Sequence, residues 1–239
     1  MGVMGRVMAG MNAEGGHGVN ALRLYLVTDP DLCAGHGVVE TVRDAVRGGV
    51  TIVQLRDKMA KTSSLVATGK ALREVLAGTG VPLIINDDVE AAVAIGADGV
   101  HVGQSDMKAE DVRQMVGPKM MIGLSCESVA DARAADPEVV DYIGVSPVFA
   151  TPTKTSHSGA VGLQGLRDMA AVTGIPKVPI GGIKIGHLSS LYEYGADGVA
   201  VVSAICGQPD VERAARLLSD KTADILSSMH GRGWISKDD

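Results

Sequence analysis

From residue 21 onward the chain repeats one pattern: a short run rich in β-forming residues, then a longer amphipathic stretch. The short runs fall at 22–28, 50–55, 81–86, 99–102, 120–125, 142–145, 178–180 and 198–202. The last amphipathic stretch shows its helical spacing plainly. Val211, Ala214, Ala215, Leu218, Ile225, Leu226 and Met229 form one apolar stripe. Parallel neighbouring strands need a long connection, which a helix supplies, so regular strand–helix alternation predicts a parallel sheet with helical crossovers. Eight units within 239 residues predict a single closed (β/α)8 barrel, the TIM-barrel arrangement, with an open doubly wound sheet as the alternative. The barrel is expected over residues 21–230, between an extension over 1–20 and a tail over 231–239.

One internal echo fits that architecture. Ile95-Gly96-Ala97-Asp98-Gly99-Val100 resembles Tyr194-Gly195-Ala196-Asp197-Gly198-Val199, about four strand–helix units later. A half-barrel repeat gives that spacing. Gly-Ala-Asp-Gly is also a natural helix stop and turn before any strand.

Composition narrows the classes of function. The net charge of −6 argues against a nucleic-acid partner, which calls for a basic surface to displace counterions. It leaves room for a small phosphate ligand, which needs only a local cluster of cations. No apolar run is long enough to span a membrane. Cys33, Cys126 and Cys206 are odd in number and widely spaced, with no Cys-x-x-Cys pair. They read as reduced thiols of a cytoplasmic protein. Residues 1–20 are rich in Gly and Met and lack a signal-peptide-like apolar stretch; they read as a flexible extension, with Met11 as an alternative start. The sequence leaves a homo-oligomer open.

Barrel enzymes build their sites at the C-terminal ends of the strands, so those ends carry the chemistry. The second run ends Ile52-Val53-Gln54-Leu55-Arg56-Asp57-Lys58. Period-two alternation puts Gln54, Arg56 and Lys58 on the barrel face and turns Val53, Leu55 and Asp57 the other way. Arg and Lys together suit phosphate oxygens; the competing reading is a solvated strand end with a surface ion pair. The third run stops at Asn86-Asp87-Asp88, where either aspartate could cap the following helix. Asp106 follows the fourth run in Gly103-Gln104-Ser105-Asp106. Two carboxylates after neighbouring strands could hold one Mg2+. His101 reads more readily as a hydrogen-bonded structural histidine than as a ligand.

Gly123 with Ser125, and Gly144 with Ser146, put small residues on the inward faces of the fifth and sixth runs. They either leave space for a flat ring or simply help the interior pack. The polar segment 147–159 has the composition of a lid over a barrel mouth, and Lys154 with its neighbouring hydroxyls could meet a phosphate. Gly181-Gly182-Ile183 after the seventh run, paired with Val202-Ser203-Ala204 after the eighth, matches the place where barrels often hold a phosphate on backbone N–H groups.

Taken in order, these segments resemble thiamine phosphate synthase. The resemblance rests on Leu24-Tyr25-Leu26-Val27-Thr28-Asp29, Gln54-Leu55-Arg56-Asp57-Lys58, Asn86-Asp87-Asp88, His101-Val102-Gly103-Gln104 with Asp106, Thr151-Pro152-Thr153-Lys154, and Gly181-Gly182-Ile183. The family is a (β/α)8 barrel. The resemblance implies that Gln54, Leu55, Arg56, Asp57, Lys58 and Asn86 hold a pyrimidine diphosphate, with Lys154 on the diphosphate and Ser125 near the ring. It implies Mg2+ on Asp87 and Asp106, and a thiazole phosphate held by Thr151, Pro152, Thr153, Gly182, Val202 and Ser203. Arg56, Lys58, Ser125 and Lys154 would carry catalysis. Asp57 stands where relatives often have Glu, and Ser156 where many have an acid. The implied reaction is dissociative: diphosphate leaves the pyrimidine's methylene carbon, the aminopyrimidine ring delocalises the cation, and the thiazole nitrogen attacks. Rival readings are a thiazole tautomerase of the same superfamily, a noncatalytic thiazole-phosphate-binding module, and an unrelated sugar-phosphate barrel enzyme.

Overall fold

The structure is a computed structural model that describes residues 19–150 and 159–231. The expected extension over 1–20 and tail over 231–239 fall almost wholly outside the described residues. Val19–Leu22 already forms a 3-10 turn, so ordered structure begins just before the expected boundary.

Eight strands follow: β1 (Leu24–Val27), β2 (Ile52–Leu55), β3 (Leu83–Asn86), β4 (Gly99–Val102), β5 (Met121–Cys126), β6 (Tyr142–Val145), β7 (Lys177–Pro179) and β8 (Val199–Val201). Each is within about two residues of its sequence expectation, the usual uncertainty of such ends. The helices are α1 (Pro30–Cys33), α2 (Val38–Arg47), α3 (Thr62–Leu76), α4 (Val89–Ile95), α5 (Ala109–Val116), α6 (Val129–Ala134), α7 (Gly162–Ala170), α8 (Leu188–Glu193) and α9 (Val211–Gly231). All strand pairs are parallel, in the order β7-β6-β5-β4-β3-β2-β1-β8. The strands form a nearly closed barrel of the (β/α)8 type. Its seam lies between β7 and β8, which no ladder joins among the described residues.

Alternation along each strand sorts two layers of side chains. Tyr25, Val27, Ile52, Ile84, Tyr142, Val178 and Ala200 pack inside the barrel. Leu24, Leu26, Val53, Leu55, Leu83, Ile85, Val100, Ile122 and Ile143 pack outward against the helices. Full burial of side chains this size stabilises by roughly 1.5–3 kcal/mol each relative to exposure. Large and small residues complement each other inside. A Cβ on Gly99 would meet Met121 O at 2.8 Å and crowd Ile84 Cδ1 at 2.5 Å.

The helical ring closes where the first and last full helices meet. A Cβ on Gly48 would collide with the Glu212 carbonyl and with Ala215, so glycine is what lets α2 and α9 touch. Arg47 bridges to Glu212 at 2.9 Å and its carbonyl accepts from Arg216 at 2.8 Å. These pairs are largely exposed and contribute little; the close backbone approach fixes the contact.

One device recurs at the N-terminal ends of the strands. Asp98 N donates to Leu83 O at 2.9 Å, while the Asp98 carboxylate accepts from Leu83 N at 2.8 Å. Asp141 brackets Ile122 in the same way, at 2.8 and 2.7 Å. Asp197 brackets Lys177, at 2.8 Å for both bonds. Thr51 does it to Leu24 through its hydroxyl, at 2.9 and 3.0 Å. Each bracket joins an odd strand to the next even one: β1–β2, β3–β4, β5–β6, β7–β8. The Gly-Ala-Asp-Gly echo therefore has two parts. The glycine ends a helix, Gly96 with φ 67° and Gly195 with φ 97°, and the aspartate clamps two strands.

Cys33, Cys126 and Cys206 are free and buried. The Cys206 thiol donates to Val27 O at 3.8 Å.

Candidate active site

A cavity of about 540 Å³ opens at the C-terminal ends of the strands. Gln54, Arg56, Lys58, Asn86, Asp87, Asp106, Ser125, Gly182, Val202 and Ser203 all line it. Ten residues named from sequence thus converge from six strands. Leu55 and Asp57 do not reach it. Leu55 is buried in the outer layer, and the Asp57 carboxylate accepts from the N–H groups of Met59 and Ala60, at 3.0 and 3.1 Å. Strand alternation turns both side chains outward, which corrects their inclusion as side-chain contacts. Thr151, Pro152, Thr153 and Lys154 lie outside the described residues, as does most of the expected lid over 147–159.

One rim is built from charged side chains. Backbone hydrogen bonds to the Thr28 hydroxyl hold the end of β2, with Arg56 N donating at 3.0 Å. Among the described residues the Arg56 guanidinium has no carboxylate within salt-bridge distance, whereas Lys58 Nζ stands 3.6 Å from Asp87 Oδ2. Asp88, not Asp87, caps α4, with its carboxylate accepting from Ala91 N at 2.8 Å. That leaves Asp87 free to face the cavity. It does so in the left-handed region, φ 63°, which a non-glycine residue seldom adopts. Its N–H donates to His101 O at 2.8 Å.

Asp106 closes a tight turn, accepting from Gly103 N at 2.8 Å, and its carboxylate is near enough to that of Asp87 to oppose its ionisation. Burial first, then the Asp106 charge, pushes the Asp87 carboxyl above the usual carboxylate range, against the opposing pull of Lys58. Two neighbouring carboxylates that oppose each other's ionisation form an all-oxygen donor pair that a hard divalent cation would relieve, so the residues fit Mg2+. No group of three or more His, Cys, Asp or Glu side chains suited to a metal occurs among the described residues. Ligands beyond these two would have to be water or substrate oxygens.

The opposite rim is mostly backbone. Gly181 and Gly182 have φ of 103° and 64°. A Cβ on Gly182 would stand 2.8 Å from Ala150 O and 2.9 Å from Phe149 Cβ, so the turn both needs glycine's conformational freedom and has no room for a side chain. Val148 N and Phe149 N donate to Ile180 O and Gly181 O, at 2.9 and 3.1 Å. Those bonds fasten the start of the β6 loop to the Gly-Gly turn. Val202 and Ser203 face it from the end of β8, where Ile205 N and Cys206 N fold back onto Val202 O.

The floor holds what the sequence reading underrated. Gln54 Nε2 donates to Tyr25 OH at 2.8 Å; Tyr25 OH meets Tyr142 OH at 2.7 Å. Tyr142 OH meets His101 Nδ1 at 3.0 Å, and His101 Nε2 meets Ser125 Oγ at 2.9 Å. His101 is thus the hydrogen-bonded histidine expected, yet it also lines the cavity. The small inward residues divide between their two readings. A Cβ on Gly123 would collide with the Tyr142 ring, so this glycine serves packing. Gly144 lines the cavity. Glu127 and Asp131 also line it and were not singled out. Asp131 heads α6 in a capping box with Ser128, a local signal that masks any other role.

The sequence profile of the family described as thiamine monophosphate synthase matches residues 24–205. The chain belongs to that family. It is 51% identical over 197 residues to the thiamine-phosphate synthase of Xanthobacter autotrophicus, covering 82% of this chain and 93% of that one. The thiamine-phosphate synthase of Albidiferax ferrireducens is 47% identical over 192 residues, covering 80% and 88%. Among solved structures, thiamine phosphate pyrophosphorylase from Pyrococcus furiosus superposes with a TM-score of 0.80 at 36% identity, covering 87% of this chain and 98% of that chain. With the thiamine monophosphate synthase family goes a transferase activity that forms thiamine phosphate, and the tautomerase alternative is not favoured.

Proposed function

We propose that the chain condenses 4-amino-2-methyl-5-hydroxymethylpyrimidine diphosphate with a thiazole phosphate, releasing diphosphate, or with its carboxylated form, releasing diphosphate and carbon dioxide. The observation that carries this reading is the division of one cavity into two unlike rims: Arg56, Lys58, Asp87 and Asp106 on one, Gly181, Gly182, Val202 and Ser203 on the other. A tautomerase acting on the thiazole alone would have no use for the first rim.

In this reading Arg56 and Lys58 grip the diphosphate, and Asn86 adds a neutral donor beside them. Gln54 and Ser125 orient the pyrimidine ring between the rims. The Gly182 turn and Ser203 hold the thiazole phosphate, with Val202 against the ring. Lys154 joins the cations, and Thr151, Pro152 and Thr153 join the thiazole side; these four rest on the family resemblance.

The C–O bond of the methylene carbon breaks, diphosphate takes the electron pair, and the thiazole nitrogen attacks the delocalised cation. The protein's task is to hold developing negative charge on the leaving group, since preorganised charge in a site shielded from water is usually the largest catalytic term. When bound at Asp87 and Asp106, Mg2+ would supply further neutralisation of that charge. No nucleophile is required, and the buried phenols and imidazole are engaged with one another. The three buried free cysteines support a cytoplasmic location in the same reading. The test is direct: purified protein, both substrates and Mg2+, with thiamine phosphate measured as product. No product, or product formed equally without the pyrimidine diphosphate, sinks the proposal.

A further inference from the structure

The hydrogen-bond chain on the cavity floor has a direction. Each hydroxyl carries one proton to give, and a neutral imidazole carries one N–H and one acceptor. Tyr25 and Tyr142 are each 1% exposed. Among the described residues their hydroxyls bond only to members of the chain, so neither phenol proton has another destination. Burial also pushes both phenols well above their ordinary range, so both keep their protons near neutrality.

With Gln54 donating to Tyr25, the Tyr25 proton must go to Tyr142 and the Tyr142 proton to His101 Nδ1. The imidazole is then the Nε2–H tautomer and donates to Ser125 Oγ. Ser125 has its own proton left for the cavity, and Gln54 has Oε1 left. The reverse order requires a flipped Gln54 amide, the Nδ1–H tautomer and a Ser125 that donates inward. It presents Gln54 N–H and the Ser125 lone pair instead.

We propose that Tyr25, Tyr142 and His101 are positioning residues that set the hydrogen-bonding pattern read by the pyrimidine ring: acceptor at Gln54 Oε1, donor at Ser125 O–H. This rests on placing that ring between Gln54 and Ser125, as above. A 4-aminopyrimidine offers the complement, an amino N–H beside a ring nitrogen that accepts. A 4-oxopyrimidine offers the opposite, a carbonyl beside a ring N–H, and fits only the reversed chain. The chain therefore discriminates the amino ring from its hydrolysed counterpart although none of its three central members needs to touch the exocyclic group.

Two measurements test this. The first is nitrogen NMR of the ligand-free protein labelled with 15N-histidine, the His101 signal being assigned with His101→Gln. The Nε2–H tautomer is expected in the wild type, and loss of that bias in Tyr142→Phe, which removes the hydroxyl beside Nδ1. The second is kcat/KM for the 4-amino pyrimidine diphosphate against its 4-oxo counterpart. Preference for the amino ring should fall about tenfold in Tyr142→Phe, the scale of one hydrogen bond. Tyr25→Phe should lower it similarly, which keeps the test decisive if the first variant folds poorly. An Nδ1–H imidazole in the wild type overturns the chain's direction. A preference unchanged in both folded variants overturns its role in specificity. An Nε2–H imidazole with no amino preference in the wild type leaves the chain standing and removes the substrate placement.

Discussion

The two rims of the cavity solve similar problems with different materials. On the β2–β4 side, the proposed anion site is written in side chains: Arg56 and Lys58 for the anion, with the carboxylates of Asp87 and Asp106 beside them suited to a metal. On the β7–β8 side it is written in backbone, with Gly181 and Gly182 allowing the main chain to approach where any Cβ would strike the β6 loop. Side-chain charge can be tuned and can recruit a metal, which suits a diphosphate that gains charge as it leaves. A glycine turn offers fixed dipoles at close range, which suits a phosphate that is held and never transferred. The first rim should fail through chemistry when altered, the second through binding.

The sharpest way to break that contrast is at the carboxylates. Asp87→Asn or Asp106→Asn should lower turnover by about 100-fold or more, the scale of one preorganised charge contact. Calorimetric affinity for thiazole phosphate should barely move. EDTA should do the same to the wild type; full activity in EDTA would remove the metal assignment. Next in size is Gly182→Ala, which adds a Cβ at φ 64° against Ala150 O. Thiazole phosphate binding should weaken roughly 10- to 100-fold, the scale of one or two lost hydrogen bonds. Binding of the pyrimidine diphosphate should change much less; equal loss of both ligands would erase the distinction between the rims.

Lys58→Ala should be milder, because Lys58 is exposed and its pairing with Asp87 is long, at 3.6 Å. A fall in turnover of about tenfold is expected, measured at saturating thiazole phosphate. The smallest effect is on stability. Burial and Asp106 raise the Asp87 carboxyl, so the folded protein binds a proton there more tightly than the unfolded chain does. Such a group destabilises once it is ionised, and the penalty is relieved as pH falls through the raised value. Asp87→Asn should therefore melt higher than wild type near neutrality in EDTA. That gain should shrink toward the ordinary carboxylate range, where wild-type Asp87 is itself neutral. Melting curves at several pH values decide it; a variant less stable near neutrality contradicts the sign.

The contrast also explains what sequence could disclose. Strand alternation placed Gln54, Arg56 and Lys58 because period two needs no knowledge of the partner strands. Asp87 and Asp88 were indistinguishable in sequence, since either spacing suits a helix cap; the folded chain separates them, with Asp88 accepting from Ala91 N and Asp87 at φ 63°. Tyr25, Tyr142 and His101 come from β1, β6 and β4, and no local pattern announces that their hydroxyls and ring meet. Leu55 and Asp57 were included because the family's motif is contiguous, while the cavity takes alternate side chains. The seam between β7 and β8 left no trace in sequence either, because a missing ladder is a property of two strands at once.

The brackets at the bottom of the barrel carry a consequence for how the chain can be divided. Every bracket lies within an odd–even pair of consecutive strands, so a cut after α5, at exposed Pro118 and Lys119, would sever none of them. Two co-expressed fragments meeting there would each keep two complete clamps. Arg113 in the first fragment would still reach Val139 O and the Asp141 carboxylate in the second, at 2.8 and 2.7 Å. A cut between β3 and β4 would instead split the Asp98 clamp across two polypeptides. The fold thus marks its own joints: the first pair of fragments should reassemble into an active enzyme at lower concentrations than the second.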